Sequence, residues 1–191
     1  MKNMPRHNNF YLVPDEPPPD LPSREKAAFF RDILDRALSL RVRVTGYSMA
    51  PFLNGGEILT IRKVCTTSLR KGDLIFCVTR DSSMLLHRIV GKRVMDGALV
   101  FQTKGDALYC IDEPVHERDI LGRVCRIEST LSDGRVSRIE MESGIWRVIN
   151  YFQAIAGLGR SKITTLSRRG LPSHFGRIIR RFFPKSKVTT P

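Results

Sequence analysis

The chain has 191 residues, 41% of them hydrophobic, which is enough for one domain with a real core plus extensions. Its net charge of +13 is uneven: residues 143–191 contain ten Lys or Arg and no acid, so the first 142 residues carry only +3. No segment has the roughly 18 consecutive apolar residues of a membrane span, which excludes an ordinary transmembrane protein. Any acidic partner is therefore expected to meet the C-terminal segment rather than the body.

The N-terminus is rich in proline, with six of the eleven prolines in residues 1–22. This composition favours an extended, mobile segment. It also lacks the apolar run of a secretory signal. We therefore expect a cytoplasmic protein.

An amphipathic helix is predicted next, from Ser23 to Leu40. Ser23 can cap its start, and apolar residues recur at steps of three and four positions from Ala27 to Leu38. Charged residues occupy the opposite side. Such a helix is expected to pack on its own domain.

Short strands dominate from Arg41 to about residue 142. Their runs alternate or are apolar throughout, and glycine-containing turn signals separate them, as at Asn54-Gly55-Gly56, Asp96-Gly97 and Asp133-Gly134. We predict a mainly β fold with flanking α-helices. The domain should span residues 23–142, with its β core at 41–142, between the N-terminal segment 1–22 and a C-terminal segment 143–191.

The C-terminal segment begins with a predicted helix, IWRVINYFQAIAGLG, that should end at Gly157 or Gly159. The basic residues that follow are accompanied by apolar clusters at Ile178, Ile179, Phe182 and Phe183. This combination suits peripheral contact with an anionic membrane, although a solvated tail would have the same composition. Regularly interleaved stacking aromatics are lacking, so nucleic acid is not the expected partner.

The four cysteines, at 65, 77, 110 and 125, are widely spaced and form no metal-binding pattern. Buried free thiols in a reducing compartment are the expected state. We expect neither a metal nor another cofactor.

Ser48 and His87 are candidates for chemistry. Ser48 follows the strand RVRVT and enters a turn, where a hydroxyl can be exposed near backbone N–H donors. His87 lies inside an apolar strand, where an imidazole needs partners. His7 and His174 lie in the terminal segments and His116 in an acidic loop, so these three are weaker candidates. Asp106 or Asp112 could orient the imidazole, although either could be a turn residue.

Five stretches have the order and approximate spacing of motifs in the signal peptidase I family, which this sequence therefore resembles. They are GYSMAPFLNGGE (46–57), RKGDLIFCV (70–78), HRIVG (87–91), FQTKGDALYCID (101–112) and ILGRV (120–124). The resemblance implies a β-barrel-type peptidase fold, shared with self-cleaving repressors. It also implies cleavage of a peptide or precursor protein after small residues such as alanine.

The resemblance also implies roles for individual residues. The position of His87 holds a lysine base in bacterial-type members but a histidine in the archaeal and endoplasmic-reticulum branch, which this sequence is similar to. Ser48 then matches the nucleophile, Asp112 the acid of the triad, and Asp106 a second acidic position of the family. Two departures are Glu57, where the family usually has aspartate, and an amphipathic helix in place of the transmembrane helix.

Three other functions are compatible with parts of the sequence. A self-cleaving repressor would need a DNA-binding domain and a lysine base, but only 40 residues precede the β region and the candidate base is a histidine. A nucleic-acid-binding module is suggested by the basic tail alone. A non-catalytic scaffold would keep the fold without the reaction.

Overall fold

The computed structural model describes residues 22–36 and 39–168, without the side chains of Ser23 and residues 160–168. The expected mobile N-terminus lies almost entirely outside these residues. The apolar clusters at Ile178–Ile179 and Phe182–Phe183 lie outside them too.

The fold is mainly β with a helix at each end, as predicted. The elements in chain order are α1 (Ser23–Asp35), β1 (Ser39–Arg43), β2 (Ile58–Arg62), β3 (Leu74–Val78), β4 (Met84–Met95), β5 (Ala98–Lys104), β6 (Val115–His116), β7 (Ile120–Thr130), β8 (Val136–Glu140) and α2 (Gly144–Arg168). Short 3₁₀ turns at Thr66–Ser68 and Glu117–Asp119 precede β3 and β7.

The strands form one antiparallel sheet in the order β1-β2-β7-β3-β4-β5-β6. The long strand β7 pairs with β2 along one edge, while β3 and then β8 share its other edge. Within the described strands the two ends of this order, β1 and the two-residue β6, do not pair with each other. The sheet is therefore open, and the expectation of a closed barrel is not met.

The first helix ends earlier than its apolar periodicity indicated. Phe30, Ile33 and Leu34 are buried against the sheet as expected, but α1 stops at Asp35 and β1 begins at Ser39. Leu40, predicted to end the helix, instead pairs with Ile61 across β1 and β2. At Leu40, the pairing of β1 with β2 outweighs the helical preference that the apolar periodicity indicated.

The core lies on both faces of the sheet. The first cluster joins α1 to alternate residues of the sheet, including Leu74 and Phe76, whereas Ile75 and Cys77 belong to the second. This alternation follows from the two-residue period of a strand. Met49 and Leu53, from the loop that carries Ser48, are buried in the first cluster. The loop is thus anchored in the core.

The second helix, α2, packs closely on the body of the protein. Asn150 and Ala154 are buried on its inner face, and a Cβ on Gly72 would lie 2.8 Å from the backbone carbon of Asn150. The helix continues through Gly157 and Gly159 to Arg168, so the predicted end at either glycine was wrong. Over the residues that the structure covers, neither helix combines the length and apolar content needed to span a membrane.

Candidate active site

Ser48 lies in the loop between β1 and β2, which is held at both ends. At its base, the Val44 N–H donates to the Glu57 carbonyl oxygen and the Gly56 N–H to the Val44 carbonyl oxygen, both at 2.8 Å. Near its tip, the Leu53 N–H donates to the carbonyl oxygen of buried Met49 at 3.0 Å. The serine hydroxyl is therefore carried by a fixed turn.

His87, in the middle of β4, is only 2% exposed, yet both of its ring nitrogens have a partner. Nε2 lies 3.0 Å from Ser48 Oγ, and Nδ1 lies 2.6 Å from Asp112 Oδ2. A carboxylate accepts hydrogen bonds, so Nδ1 carries the proton in the neutral ring and Nε2 is left to accept from the serine hydroxyl. These two contacts account for the burial of an imidazole in an apolar strand.

Asp112 is positioned by the end of β5. Its backbone N–H donates to the Thr103 carbonyl oxygen at 2.9 Å, and the Thr103 hydroxyl donates to Asp112 Oδ2 at 2.8 Å. The same carboxylate oxygen therefore accepts from both Thr103 and His87. Sequence analysis gave no role to Thr103, because a threonine in a strand is unremarkable without its register.

The segment after β5 passes directly beside the serine. The Ala107 N–H donates to the Ser48 carbonyl oxygen at 2.9 Å. A Cβ on Gly105 would lie 2.6 Å from that same oxygen and 2.9 Å from His87 Nε2. A side chain at residue 105 would therefore displace one of these neighbours.

Asp106 contacts Arg88 instead of His87. Arg88 donates from Nε to Asp106 Oδ1 at 2.9 Å and from Nη2 to Oδ2 at 2.7 Å, forming a bidentate pair. His87 and Arg88 are consecutive on β4, so their side chains leave opposite faces of the strand. Of the two candidate aspartates, the structure brings only Asp112 to the imidazole.

Arg88 joins β4, the strand of His87, to α2. Its side chain is fully buried, and Nη1 donates to Asn150 Oδ1 at 2.6 Å and to the Gly72 carbonyl oxygen at 3.0 Å. The guanidinium also lies 4.8 Å from the ring centre of Phe52, a cation–π contact. Sequence analysis missed Arg88 and Asn150; the signals for them were a charge and an amide inside apolar runs.

His116 is not part of this arrangement. His116 lies in β6 and pairs in register with Val100, while His7 and His174 lie outside the described residues. Lys104 is buried, and its Nζ donates to the Gly105 carbonyl oxygen at 3.1 Å. The Lys104 amine therefore lies beside the segment that contacts Ser48.

All four cysteines are free, as expected, although only Cys77 and Cys125 are buried. Burial raises the pKa of Cys77 to about 12, and the negative charge of Asp112 contributes in the same direction. Burial also raises the pKa of Cys125. Hydrogen bonding to Thr67 lowers the pKa of exposed Cys65.

No protein-family model matches this chain, and no curated protein sequence matches it. Neither comparison therefore bears on the resemblance inferred from the five motifs.

Proposed function

We propose that this protein is a serine endopeptidase of signal-peptidase type. The observation that carries the proposal is the hydrogen-bonded series from Ser48 Oγ through His87 Nε2 and Nδ1 to Asp112 Oδ2, with distances of 3.0 and 2.6 Å. A nucleophile, a base within reach of it and a group that orients the base are the parts of an acyl-transfer site. The structure joins three residues that are distant in sequence.

Each residue has a defined part in the proposed reaction. As Ser48 Oγ attacks the carbonyl carbon of the scissile bond, its proton moves to His87 Nε2, which then gives that proton to the leaving amine. Water, deprotonated by His87, attacks the resulting ester and releases the acid with Ser48 restored. Asp112 holds the tautomer and stabilises the imidazolium.

The oxyanion that forms during attack needs hydrogen-bond donors. Within the part of the chain that the structure describes, the Ser48 N–H makes no hydrogen bond, so it is free to donate to substrate. We assign it as one donor of the oxyanion site. The anchoring of Met49 and Leu53 in the core would hold this N–H in place before substrate arrives.

The substrate class is proposed from the resemblance. Motif residues distant in sequence contact one another here: Gly72 accepts from Arg88, and Gly105 packs on Ser48. These contacts between motifs support a signal-peptidase-type site, with cleavage of a peptide or precursor protein after a small residue such as alanine. We extend the proposal to the fold type: a signal-peptidase-like fold whose sheet is open rather than closed.

The proposal is tested with soluble peptides that contain alanine before the scissile bond. Ser48→Ala should abolish cleavage, and His87→Ala should lower the rate by roughly 10²- to 10⁴-fold. Lys104→Met, beside the same segment, is the control for a lysine base and should remain active. An inactive Lys104→Met that is normally folded, together with an active His87→Ala, would contradict the assignment.

The natural substrate can be sought separately. Peptides or precursors that accumulate in cells carrying Ser48→Ala, and not in cells carrying the wild type, can be identified by mass spectrometry. Cleavage of such a precursor in vitro by the wild type, after a small residue, is the expected result. A serine-directed covalent probe should label the wild type at Ser48, and a protein that neither reacts nor cleaves would instead be a scaffold.

A further inference from the structure

The outer face of α2 carries a stripe of apolar side chains, formed by Ile145, Val148, Phe152 and Ile155. These residues are spaced three, four and three positions apart, which places them on one side of a helix. Each is between 43% and 74% exposed. The opposite side contains Asn150 and Ala154, which are buried against the body. Within residues 22–36 and 39–168, the stripe is thus apolar surface that the core does not cover.

The charge of the sequence segment that contains the stripe indicates what covers it. Residues 143–191, which include all of α2, contain ten Lys or Arg and no Asp or Glu. Arg147 is an exposed cation within the first turns of the helix. Packing two copies of α2 together would bring like charges into one interface, whereas anionic lipid headgroups complement them.

We propose that α2 binds the surface of an anionic lipid bilayer through this stripe. Its apolar side chains enter the boundary between headgroups and acyl chains, and the basic residues of the segment contact the headgroups. An amphipathic helix lying in the plane of the interface binds through these two contributions together. The inference does not depend on the proposed peptidase activity.

The inner face of the same helix connects this surface to the catalytic strand. Asn150 accepts from Arg88, and the ring of Trp146 lies 6.2 Å from that of Phe52, which belongs to the loop of Ser48. A bilayer bound to the outer face would therefore hold the active site at a fixed distance from the lipid. This arrangement suits a substrate that is itself close to the membrane.

The test is cosedimentation of the full-length protein with vesicles of phosphatidylcholine and phosphatidylglycerol. Val148→Ser combined with Phe152→Ser should weaken binding by about 10-fold or more, because both side chains lose apolar burial. The matched control, Val94→Ser with Phe29→Ser, changes the same residue types at exposed positions on β4 and α1 and should bind as the wild type does. Added salt should weaken binding by screening.

Four outcomes decide the proposal. Loss of binding in the stripe variant alone, with its thermal unfolding unchanged, supports it. Equal sedimentation of the stripe variant and the wild type overturns it, as does equal binding to vesicles of phosphatidylcholine alone. A concentration-dependent dimer that disappears in the stripe variant would assign the stripe to a second copy instead. Ser48→Ala should sediment like the wild type, which separates this test from that of catalysis.

Discussion

Gly105 packs so tightly against Ser48 that a Cβ at position 105 would lie 2.6 Å from the serine carbonyl oxygen. Gly105 does not have the positive φ that disfavours other residues, so the cost of Gly105→Ala is purely steric. The added methyl group must displace Ser48 or His87. We expect the rate of peptide cleavage to fall by about 10²-fold, since small misplacements of reacting groups have effects of that order.

Gly46→Ala is the matched control for this change. It introduces the same methyl group two residues before the serine, where a Cβ would meet nothing within 4 Å. Steady-state cleavage by the two variants compares them directly. Full activity of Gly105→Ala would show that the loop can move without harming the site.

The two aspartates should respond differently to the same substitution. Asp112→Asn keeps the shape of the side chain but removes the charge that fixes the His87 tautomer, so the rate should fall by roughly 10²- to 10⁴-fold with little loss of stability. Asp106→Asn leaves the fully buried Arg88 without its carboxylate partner. Breaking one side of a buried ion pair typically costs about 3–5 kcal/mol of unfolding free energy.

Thermal unfolding and peptide cleavage, measured on both variants, separate these effects. Asp106→Asn is expected to unfold at a clearly lower temperature, and Asp112→Asn close to the wild type. A stable but inactive Asp106→Asn beside a fully active Asp112→Asn would exchange their roles.

Thr103 is expected to be a positioning residue for the triad. Thr103→Val preserves the shape of the buried side chain but removes the hydroxyl that donates to Asp112. Hydrogen bonds to charged groups contribute about 1.5–3 kcal/mol, so kcat should fall by about 10-fold or more if the carboxylate loses its orientation. Thr103→Ser restores the donor and should recover most of the rate; failure to do so would assign the effect to packing.

The stability of the protein should fall at alkaline pH partly because of Cys77. Its pKa is raised from 9.0 to about 12 in the folded protein, so the folded state keeps a proton that the unfolded chain releases above pH 9. The contribution of Cys77 to stability is therefore complete below pH 9 and is lost as pH rises toward 12.

Urea unfolding on both sides of pH 9 measures this loss. Cys77→Ala should show a smaller alkaline decrease in unfolding free energy than the wild type, even if it is less stable overall. Cys65→Ala, at an exposed position whose pKa is lowered, should not reduce the decrease. An unchanged alkaline decrease in Cys77→Ala would assign it to other groups.

The sequence was informative where a residue's chemistry conflicts with its surroundings. His87 interrupts an apolar strand, and Ser48 follows a strand in a glycine-rich turn, so both were recognisable before their contact was known. Similar reasoning applied to the strands, whose alternating or wholly apolar runs predicted a mainly β fold.

The partners of these residues could not be derived in the same way. Asp106 and Asp112 are both carboxylates near a turn, and only the register that pairs Arg88 with Lys104 shows which one meets the arginine. Helix ends were also misplaced, because Leu40 gains a strand partner that its periodicity does not reveal. Asn150 acquires its role only when α2 packs across Gly72.

The position of Arg88 beside His87 has a consequence for how this protein loses its structure. One turn of α2, the turn before β3 and the segment after β5 are all joined by a single buried guanidinium, through Asn150, Gly72 and Asp106. Partial unfolding normally removes the least buried elements first, and a terminal helix would be the first choice. Here the departure of α2 would remove Asn150, one hydrogen-bond partner of the buried guanidinium, so the helix and the site should open as one cooperative unit. A form in which α2 has frayed while the contacts of Ser48, His87 and Asp112 stay intact is correspondingly disfavoured.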